Sequence, residues 1–164
     1  MSKARKEIEL GLEQRLTRLW RFGLILSGDQ AAADDLVQST CIRALERAEQ
    51  FIPGTNLDAW LFTILSSIWR NMVRSSAVRR GAGLVEIGDA LLEAEDCNDE
   101  TRVYLLQTLS RIDLLPEGQR QVMLLVGVEG LTHAEAAGIL KIPAGTVMSR
   151  MFAARKSLKS GMHL

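Results

Sequence analysis

The apolar residues of this chain recur at helical spacing along most of its length. In residues 3–27 the apolar positions are three or four residues apart, with charges between them; they are Ile8, Leu12, Leu16, Leu19, Phe22 and Leu26. This spacing places the side chains on one face of an α-helix. The apolar runs are rich in Leu and Ala and too long for strands, and aromatic residues make up only 5% of the 164 residues. The pattern therefore predicts an all-α protein.

Two further helices are predicted in the first half of the chain. Residues 34–50 carry apolar side chains on one face and end before Pro53-Gly54, a strong helix-breaking pair. Residues 57–77 form a third helix, whose C-terminal part is rich in arginine and free of acids. Arginines there could simply complement the helix dipole, or they could bind a polyanion such as DNA.

The charges of the chain are unevenly distributed, although its formal net charge is zero. Residues 81–100 contain seven acids and no Lys or Arg. The segment is also glycine-containing and poor in aromatics, as is typical of a linker. We therefore expect two small helical domains, 1–80 and 101–164, joined by an acidic linker over 81–100. Outside the linker the chain is basic, which favours a nucleic-acid partner.

The second domain carries the pattern of a helix-turn-helix. Helices are predicted over 101–114 and 119–128, and Thr132 and Glu135 form a capping box that begins a third. A turn over 141–145 leads into a last helix over 146–159. From residue 141 onward the chain has five basic residues and no acid. The last helix of this four-helix domain is therefore the natural candidate to enter a major groove.

Other functional classes find little support. The apolar stretches are shorter than a membrane span, so we expect a cytoplasmic protein. Cys41 and Cys97 lie far apart with no CxxC motif, and His133 and His163 lack partner residues. We expect no metal, no cofactor and no catalytic residue, and hence no enzyme.

Two long segments carry a family resemblance. The segment LPEGQRQVMLLVGVEGLTHAEAAGILKIPAGTVMSRMFAARKSL resembles the region 4 helix-turn-helix of bacterial sigma factors. The segments LWRFGLILSGDQAAADDLVQSTCIRALERAEQF and NLDAWLFTILSSIWRNMVRSS resemble region 2. With these two regions and a short linker, the chain looks like an extracytoplasmic-function (ECF) sigma factor.

The resemblance implies a function in transcription initiation. Region 2 would bind core RNA polymerase and melt the −10 promoter element, and region 4 would bind the −35 element. The face that docks on polymerase would contain Asp34, Asp35, Leu36, Val37, Gln38, Thr40 and Arg43. A flipped −10 base would be captured by Pro53, Gly54, Thr55 and Asn56, with Arg70, Asn71 and Arg74 beside the DNA backbone. The −35 groove would face Thr146, Ser149, Arg150 and Arg155.

The resemblance also implies partners and leaves alternatives open. The expected partners are core RNA polymerase, promoter DNA and an anti-sigma factor, and the free chain is expected to be a monomer. Met148 and Ala153 stand where basic residues are frequent in the family, and Lys141 stands where Gly is common at the turn. Met148 and Ala153 reduce the positive charge of the last helix. This reduction motivates one alternative, a sigma-like protein that sequesters an anti-sigma factor without directing transcription. A conventional helix-turn-helix regulator is the other alternative, but it would normally add a dimerisation or ligand domain.

Overall fold

The computed structural model describes residues 1–75 and 99–161. These ranges contain helices and turns and no strand, so the all-α prediction is confirmed. The α-helices are α1 (Lys3–Leu12), α2 (Leu16–Ser27), α3 (Gln30–Glu46), α4 (Leu57–Ser75), α5 (Asp99–Asp113), α6 (Glu117–Val122), α7 (His133–Leu140) and α8 (Ala144–Ser160). Short 3₁₀ turns cover Glu13–Arg15 and Ala48–Gln50, and a π-helical turn covers Met123–Val128.

The chain divides into two compact units, Met1–Ala82 and Gly83–Leu164. The first holds α1 to α4, and the second holds α5 to α8. Most of the predicted linker, together with Arg79, Arg80 and Cys97, lies outside the described residues, and so does His163.

The first unit is built around the crossing of α2, α3 and α4. Phe22 of α2 and Phe62 of α4 are fully buried and meet edge to face, with ring centroids 5.4 Å apart. Leu36 of α3 and Leu61 and Leu65 of α4 complete this centre with no exposed surface. Such aromatic contacts add about 1 kcal/mol to the stabilisation from burial. The position of α4, which carries the arginines, is therefore fixed by the core of the unit.

The beginning of α3 differs from the sequence prediction. The helix begins at Gln30 rather than at residue 34, because the Asp29 side chain accepts a hydrogen bond from the Ala32 amide at 2.8 Å. Asp29 is thus the N-cap of α3. Asp34 and Asp35 consequently lie inside the helix, beyond its first turn.

An ion-pair network fixes α4 against α2. The Asp58 carboxylate accepts hydrogen bonds from Arg15 and from Arg18, the latter at 2.8 Å. The Arg18 guanidinium also lies over the Phe62 ring, 5.9 Å from its centroid. Burial by itself raises the pKa of Asp58, but the hydrogen bonds and positive charges of the two arginines more than offset it. The pKa of Asp58 is therefore lowered.

Asp58→Asn should destabilise the first unit in a pH-dependent way. Because the folded pKa lies below the unfolded value of about 3.9, the contribution of Asp58 is present above that pH. It is lost as the pH falls through the folded pKa. At pH 7 we expect a loss of about 1 kcal/mol, since the pair is partly exposed. Urea unfolding at pH 7 and at pH 3 checks this, and the deficit of the variant should shrink at pH 3.

The matched control for this prediction is Asp35→Asn. It removes an exposed carboxylate from α3 and should leave the free energy of unfolding within about 0.5 kcal/mol of wild type. A deficit for Asp58→Asn that stays constant between the two pH values would contradict the linkage to Asp58.

The second unit contains the predicted helix-turn-helix, formed by α7 and α8. The capping box is present: the Thr132 hydroxyl accepts from the Glu135 amide, and the Glu135 carboxylate accepts from the Thr132 amide, both at 3.1 Å. Lys141 ends α7 in the left-handed conformation, with φ of 54°. The Lys141 amide donates to the Ala137 carbonyl. A lysine there in place of glycine costs about 1 kcal/mol, and the turn is nevertheless formed.

A buried arginine joins the end of α5 to α6. Arg120 is 5% exposed, and its Nη1 donates to the Asp113 carbonyl at 3.1 Å and to the Leu115 carbonyl at 3.2 Å. The Asp113 carboxylate lies 3.9 Å from the same nitrogen. These bonds satisfy the last carbonyl of α5 and a carbonyl of the turn that follows it. Arg120 therefore fixes the corner between the two helices.

Candidate functional site

The predicted polymerase-docking residues of α3 divide into two groups. Asp34, Asp35 and Gln38 are exposed, and Val37 and Arg43 are half-buried. Leu36 and Thr40 have no exposed surface, and the Thr40 hydroxyl donates to the Leu36 carbonyl at 2.6 Å. These two residues therefore support α3 from the core side and present no side chain to a partner, unlike the other five.

The exposed surface of α3 includes a residue that sequence reasoning missed. Ile42 is 59% exposed and lies four residues after Gln38, which itself lies four residues after Asp34. This spacing gives one stripe along the helix. The Trp20 indole of α2 donates to the Asp34 carboxylate at 2.8 Å, which anchors the start of the stripe. An exposed isoleucine at helical spacing from two polar candidates was the available signal.

The loop before α4 is held by hydrogen bonds from its own residues. The Thr55 hydroxyl donates to the Ile52 carbonyl at 2.7 Å. The Asn56 side chain accepts from the Ala59 amide at 3.1 Å and so caps α4. Gly54 has a φ of 84°, in the left-handed region that favours glycine. Gly54, Thr55 and Asn56 are exposed, and Pro53 is half-buried, so the structure brings the four predicted −10 loop residues together at the surface.

Helix α1 also contributes to this loop, which the sequence did not indicate. The Glu7 carboxylate accepts from the Gly54 amide, with both oxygens 3.3 Å from the nitrogen. A groove runs between α1 and the loop, lined by Glu7, Leu10, Gly11, Gln14, Arg15, Thr55, Asn56 and Leu57. A Cβ on Gly11 would lie 2.6 Å from a Leu57 methyl carbon, so glycine allows α1 to approach the start of α4 closely.

The end of α4 carries the predicted backbone-binding residues. Arg70 is half-buried, and its Nη1 donates to the Ser66 hydroxyl at 2.9 Å. Asn71 and Arg74 are exposed. Burial lowers the pKa of Arg70, and the positive charge of Arg74, one helical turn away, lowers it further. Two like charges at this spacing repel each other, and phosphate groups would relieve that repulsion.

The predicted −35 residues of α8 do not all share one face. Thr146 and Arg150 are half-buried, and the exposed Ser149 donates to the Thr146 carbonyl at 3.0 Å. The Arg150 guanidinium lies against α6, where a Cβ on Gly118 would come within 3.0 Å of it. Arg155 is exposed but follows Thr146 by nine residues, which is two and a half turns. It therefore lies on the opposite side of the helix from Thr146.

Helix α8 also exposes apolar residues that sequence reasoning did not include in the site. Met148 is 52% exposed, and Phe152, four residues later, is 73% exposed. Lys156 and Lys159 are exposed as well. Helical spacing from Met148 was the signal that could have found these residues.

The described residues do not point to metal or thiol chemistry. Within 1–75 and 99–161 no group of three or more His, Cys, Asp or Glu could hold a metal ion. Cys41 is half-buried, and burial raises the pKa of its thiol. None of the helices in these ranges is long and apolar enough to cross a membrane.

Comparison with known proteins yields two family matches in the same chain. Residues 12–80 match Sigma-70 region 2, and residues 105–158 match Sigma-70 region 4. The ECF RNA polymerase sigma factor EcfG of Rhodopseudomonas palustris is 35% identical over 143 residues, covering 87% of this chain and 78% of the relative.

Two solved structures resemble the whole chain. The sigma factor RpoE from Bartonella quintana, in complex with the anti-sigma factor NepR, has a TM-score of 0.71 and 26% identity. That match covers 97% of this chain and 98% of RpoE. CnrH, in complex with the cytosolic domain of CnrY, has a TM-score of 0.62 and 22% identity, covering 98% of this chain and 93% of CnrH. The CnrH likeness concerns the fold alone.

Proposed function

The chain belongs to the ECF sigma factors, and from this premise we propose how its surfaces divide the work of directing RNA polymerase to promoters. The observation that carries the proposal is the presence of both sigma regions in one chain, each with exposed basic residues where it would meet DNA. The chain is a transcription initiation factor, and its task is binding and positioning. We infer that it has no catalytic residue of its own and acts in the cytoplasm.

The surface of α3 is the proposed polymerase-docking site. Asp34, Gln38 and Ile42 form its stripe, with Asp35, Val37 and Arg43 beside it. If this surface is buried against polymerase, Ile42 would supply an apolar contact and the polar residues beside it would form part of the rim. The anchored position of Asp34 supports the assignment because Trp20 fixes the direction of its carboxylate.

The loop over 53–56 and the end of α4 are the proposed −10 site. Melting requires that a base leaves the stack and is held elsewhere, at a cost of a few kcal/mol. The exposed loop offers polar groups to such a base, and Arg70, Asn71 and Arg74, near the other end of α4, offer donors to phosphates farther along the DNA. Because α4 rises about 1.5 Å per residue, the loop and the three residues lie about 20 Å apart along the helix, so the proposed −10 site extends over several nucleotides.

The hydrogen bond between Glu7 and Gly54 allows the proposed −10 site to be tested. Glu7→Ala removes the acceptor of the Gly54 amide and should slow promoter opening about fivefold, the effect of one hydrogen bond. Glu7→Gln keeps an acceptor oxygen and removes a negative charge near DNA, so it should open promoters at least as fast as wild type. The measurement is the fluorescence of 2-aminopurine in the −10 element, with the chain bound to core polymerase.

Glu13→Ala is the matched control, because Glu13 is an exposed glutamate just beyond α1 and should not affect opening. If Glu7→Gln were as slow as Glu7→Ala, the charge rather than the hydrogen bond would matter. If Glu7→Ala matched wild type, Glu7 would have no part in holding the loop for opening.

Helix α8 is the proposed −35 reader. It lies second in the helix-turn-helix, and its 17 residues include basic side chains but no acid. A helix of this kind fits the major groove, where arginine can address guanine, and serine or threonine can address bases or phosphates. Ser149 and Arg155 are exposed for such contacts, whereas Arg150 would have to leave Gly118 to make one.

An anti-sigma factor is the proposed regulator. RpoE, which shares this fold, is seen in complex with the anti-sigma factor NepR, and CnrH is seen in complex with the cytosolic domain of CnrY. By analogy we infer that the chain binds an anti-sigma factor that covers its polymerase-facing or DNA-facing surfaces. We further propose that the free chain is a monomer.

The function is tested by combining the purified chain with core RNA polymerase. Size exclusion should show a complex, and genome-wide run-off transcription should show initiation at a defined set of promoters. No complex, with core enzyme proven competent by another sigma factor, would contradict the proposal. It would favour a protein that sequesters an anti-sigma factor, the alternative motivated by Met148 and Ala153 in place of basic residues.

A further inference from the structure

Helix α8 presents an apolar pair to solvent on its otherwise polar side. Met148 is 52% exposed and Phe152 is 73% exposed. The core-facing apolar residues of the same helix, Val147, Met151 and Ala154, are almost completely buried. Because residues four apart lie on one face of a helix, Met148 and Phe152 form a continuous apolar strip. Burial against the protein core does not account for this strip.

The surroundings of the strip are cationic. Arg155, Lys156 and Lys159 are exposed and lie within two turns of Phe152. Arg155 and Lys159 follow Met148 at helical spacing, so they border the strip along the helix. Since α8 contains no acid, its charge complements a polyanion. Charge complementarity therefore favours duplex DNA as the occupant of this face.

Only one base in duplex DNA offers an apolar group to such a strip. In the major groove, thymine presents its 5-methyl group, whereas the other bases present hydrogen-bond donors and acceptors. Methionine is unbranched and adaptable, so it can follow a methyl group whose exact position varies. We propose that Met148, extended by Phe152, reads thymine methyl groups in the −35 duplex.

This inference rests on the proposed function and defines the specificity of its −35 site. A basic residue at 148 would seek guanine N7 and O6 or a phosphate. Met148 cannot make those contacts. We therefore expect the base pair that it faces to contain thymine instead of guanine. Recognition there becomes less dependent on salt, because a methyl contact releases no counterions.

The test uses the full chain bound to core polymerase. Promoter duplexes with a randomised −35 window are selected for binding, and each thymine of the best duplex is then replaced by deoxyuridine. This replacement removes only the methyl group. At the contacted positions wild type should bind about three- to fourfold more weakly per methyl removed. Met148→Ala should bind the thymine and deoxyuridine duplexes equally at its position.

Two further variants test whether the effect is specific to Met148. Leu114→Ala removes an apolar residue that is 79% exposed outside α8, and it should keep the full sensitivity to deoxyuridine. Met148→Arg should select guanine in place of thymine at one position of the window. Since Met148 is exposed and alanine favours helices, the Met148→Ala variant should fold like wild type.

Several outcomes would overturn the inference. Equal binding of thymine and deoxyuridine duplexes by wild type would do so, as would full methyl sensitivity in Met148→Ala. If deoxyuridine has no effect but Met148→Ala weakens binding of an anti-sigma factor, the strip is a protein-docking surface instead. Failure of the proposed function looks different, because the complex would then select no −35 sequence and start no transcripts.

Discussion

Replacing Arg70 and Arg74 together with glutamine should slow promoter opening about 100-fold. Each arginine can donate charge-assisted hydrogen bonds to phosphate, and the loss of two contacts of about 1.5 kcal/mol each gives an effect of this size. The fold should persist, because the substitution removes a repulsion within α4 and glutamine favours helices. Opening is measured by 2-aminopurine fluorescence in the −10 element, with the variant bound to core polymerase.

The salt dependence of opening gives this prediction a second readout. Losing two phosphate contacts to the melted strand should reduce the slope of the log binding constant against log salt concentration by about 1.4. The matched control is the double variant Lys3→Gln and Lys6→Gln, which removes two exposed charges from α1 in the same unit. It should leave opening within about twofold of wild type. An unchanged rate for the arginine variant would mean that the end of α4 does not contact the melted strand.

Arg120→Ala should strongly destabilise the second unit. Two main-chain carbonyls lose their Arg120 donor inside the protein, at an expected cost of about 2 to 4 kcal/mol. A unit of this size has a total stability of only about 3 to 9 kcal/mol. Amide hydrogen exchange should therefore increase throughout α6, α7 and α8, while the buried amides of α2 to α4 keep their protection.

The control for Arg120 is Arg111→Ala, an exposed arginine on α5. It should change the stability of the unit by no more than about 0.5 kcal/mol. Binding to −35 sequences should weaken for Arg120→Ala, whereas the complex with core polymerase should still form through the first unit. Uniform loss of protection in both units would show that the two do not unfold independently.

Local chemistry made part of the fold predictable from the sequence. Thr132 and Glu135 have the residue types and spacing of a capping box, and the start of α7 follows directly from them. In α4 the apolar residues Leu61, Leu65 and Ile68 recur at helical spacing, and this spacing indicates the face that is buried. Signals of this kind act within a few residues and depend little on tertiary contacts.

The parts that were not predictable depend on packing between elements. Leu36 and Thr40 belong to a segment that resembles a docking helix, but a resemblance assigns a segment and not the direction of each side chain. The sequence prediction placed Arg155 and Thr146 on one surface. Nine residues separate them, however, and this spacing places them on opposite sides of the helix. The Glu7 contact with Gly54 spans 47 positions, and no local pattern records it. The π-helical turn at Met123–Val128 also has no signature in the apolar spacing.

The bonded loop before α4 has a thermodynamic consequence for base capture. Its backbone is ordered without DNA by the contacts of Gly54, Thr55 and Asn56. Restricting one residue to a single backbone conformation costs about 1 to 2 kcal/mol of conformational entropy. The loop loses this freedom when the chain folds. The free energy of binding an unstacked base therefore does not include this loss of conformational entropy. The loop is preorganised, and the interaction energy at the −10 site remains available to separate the strands.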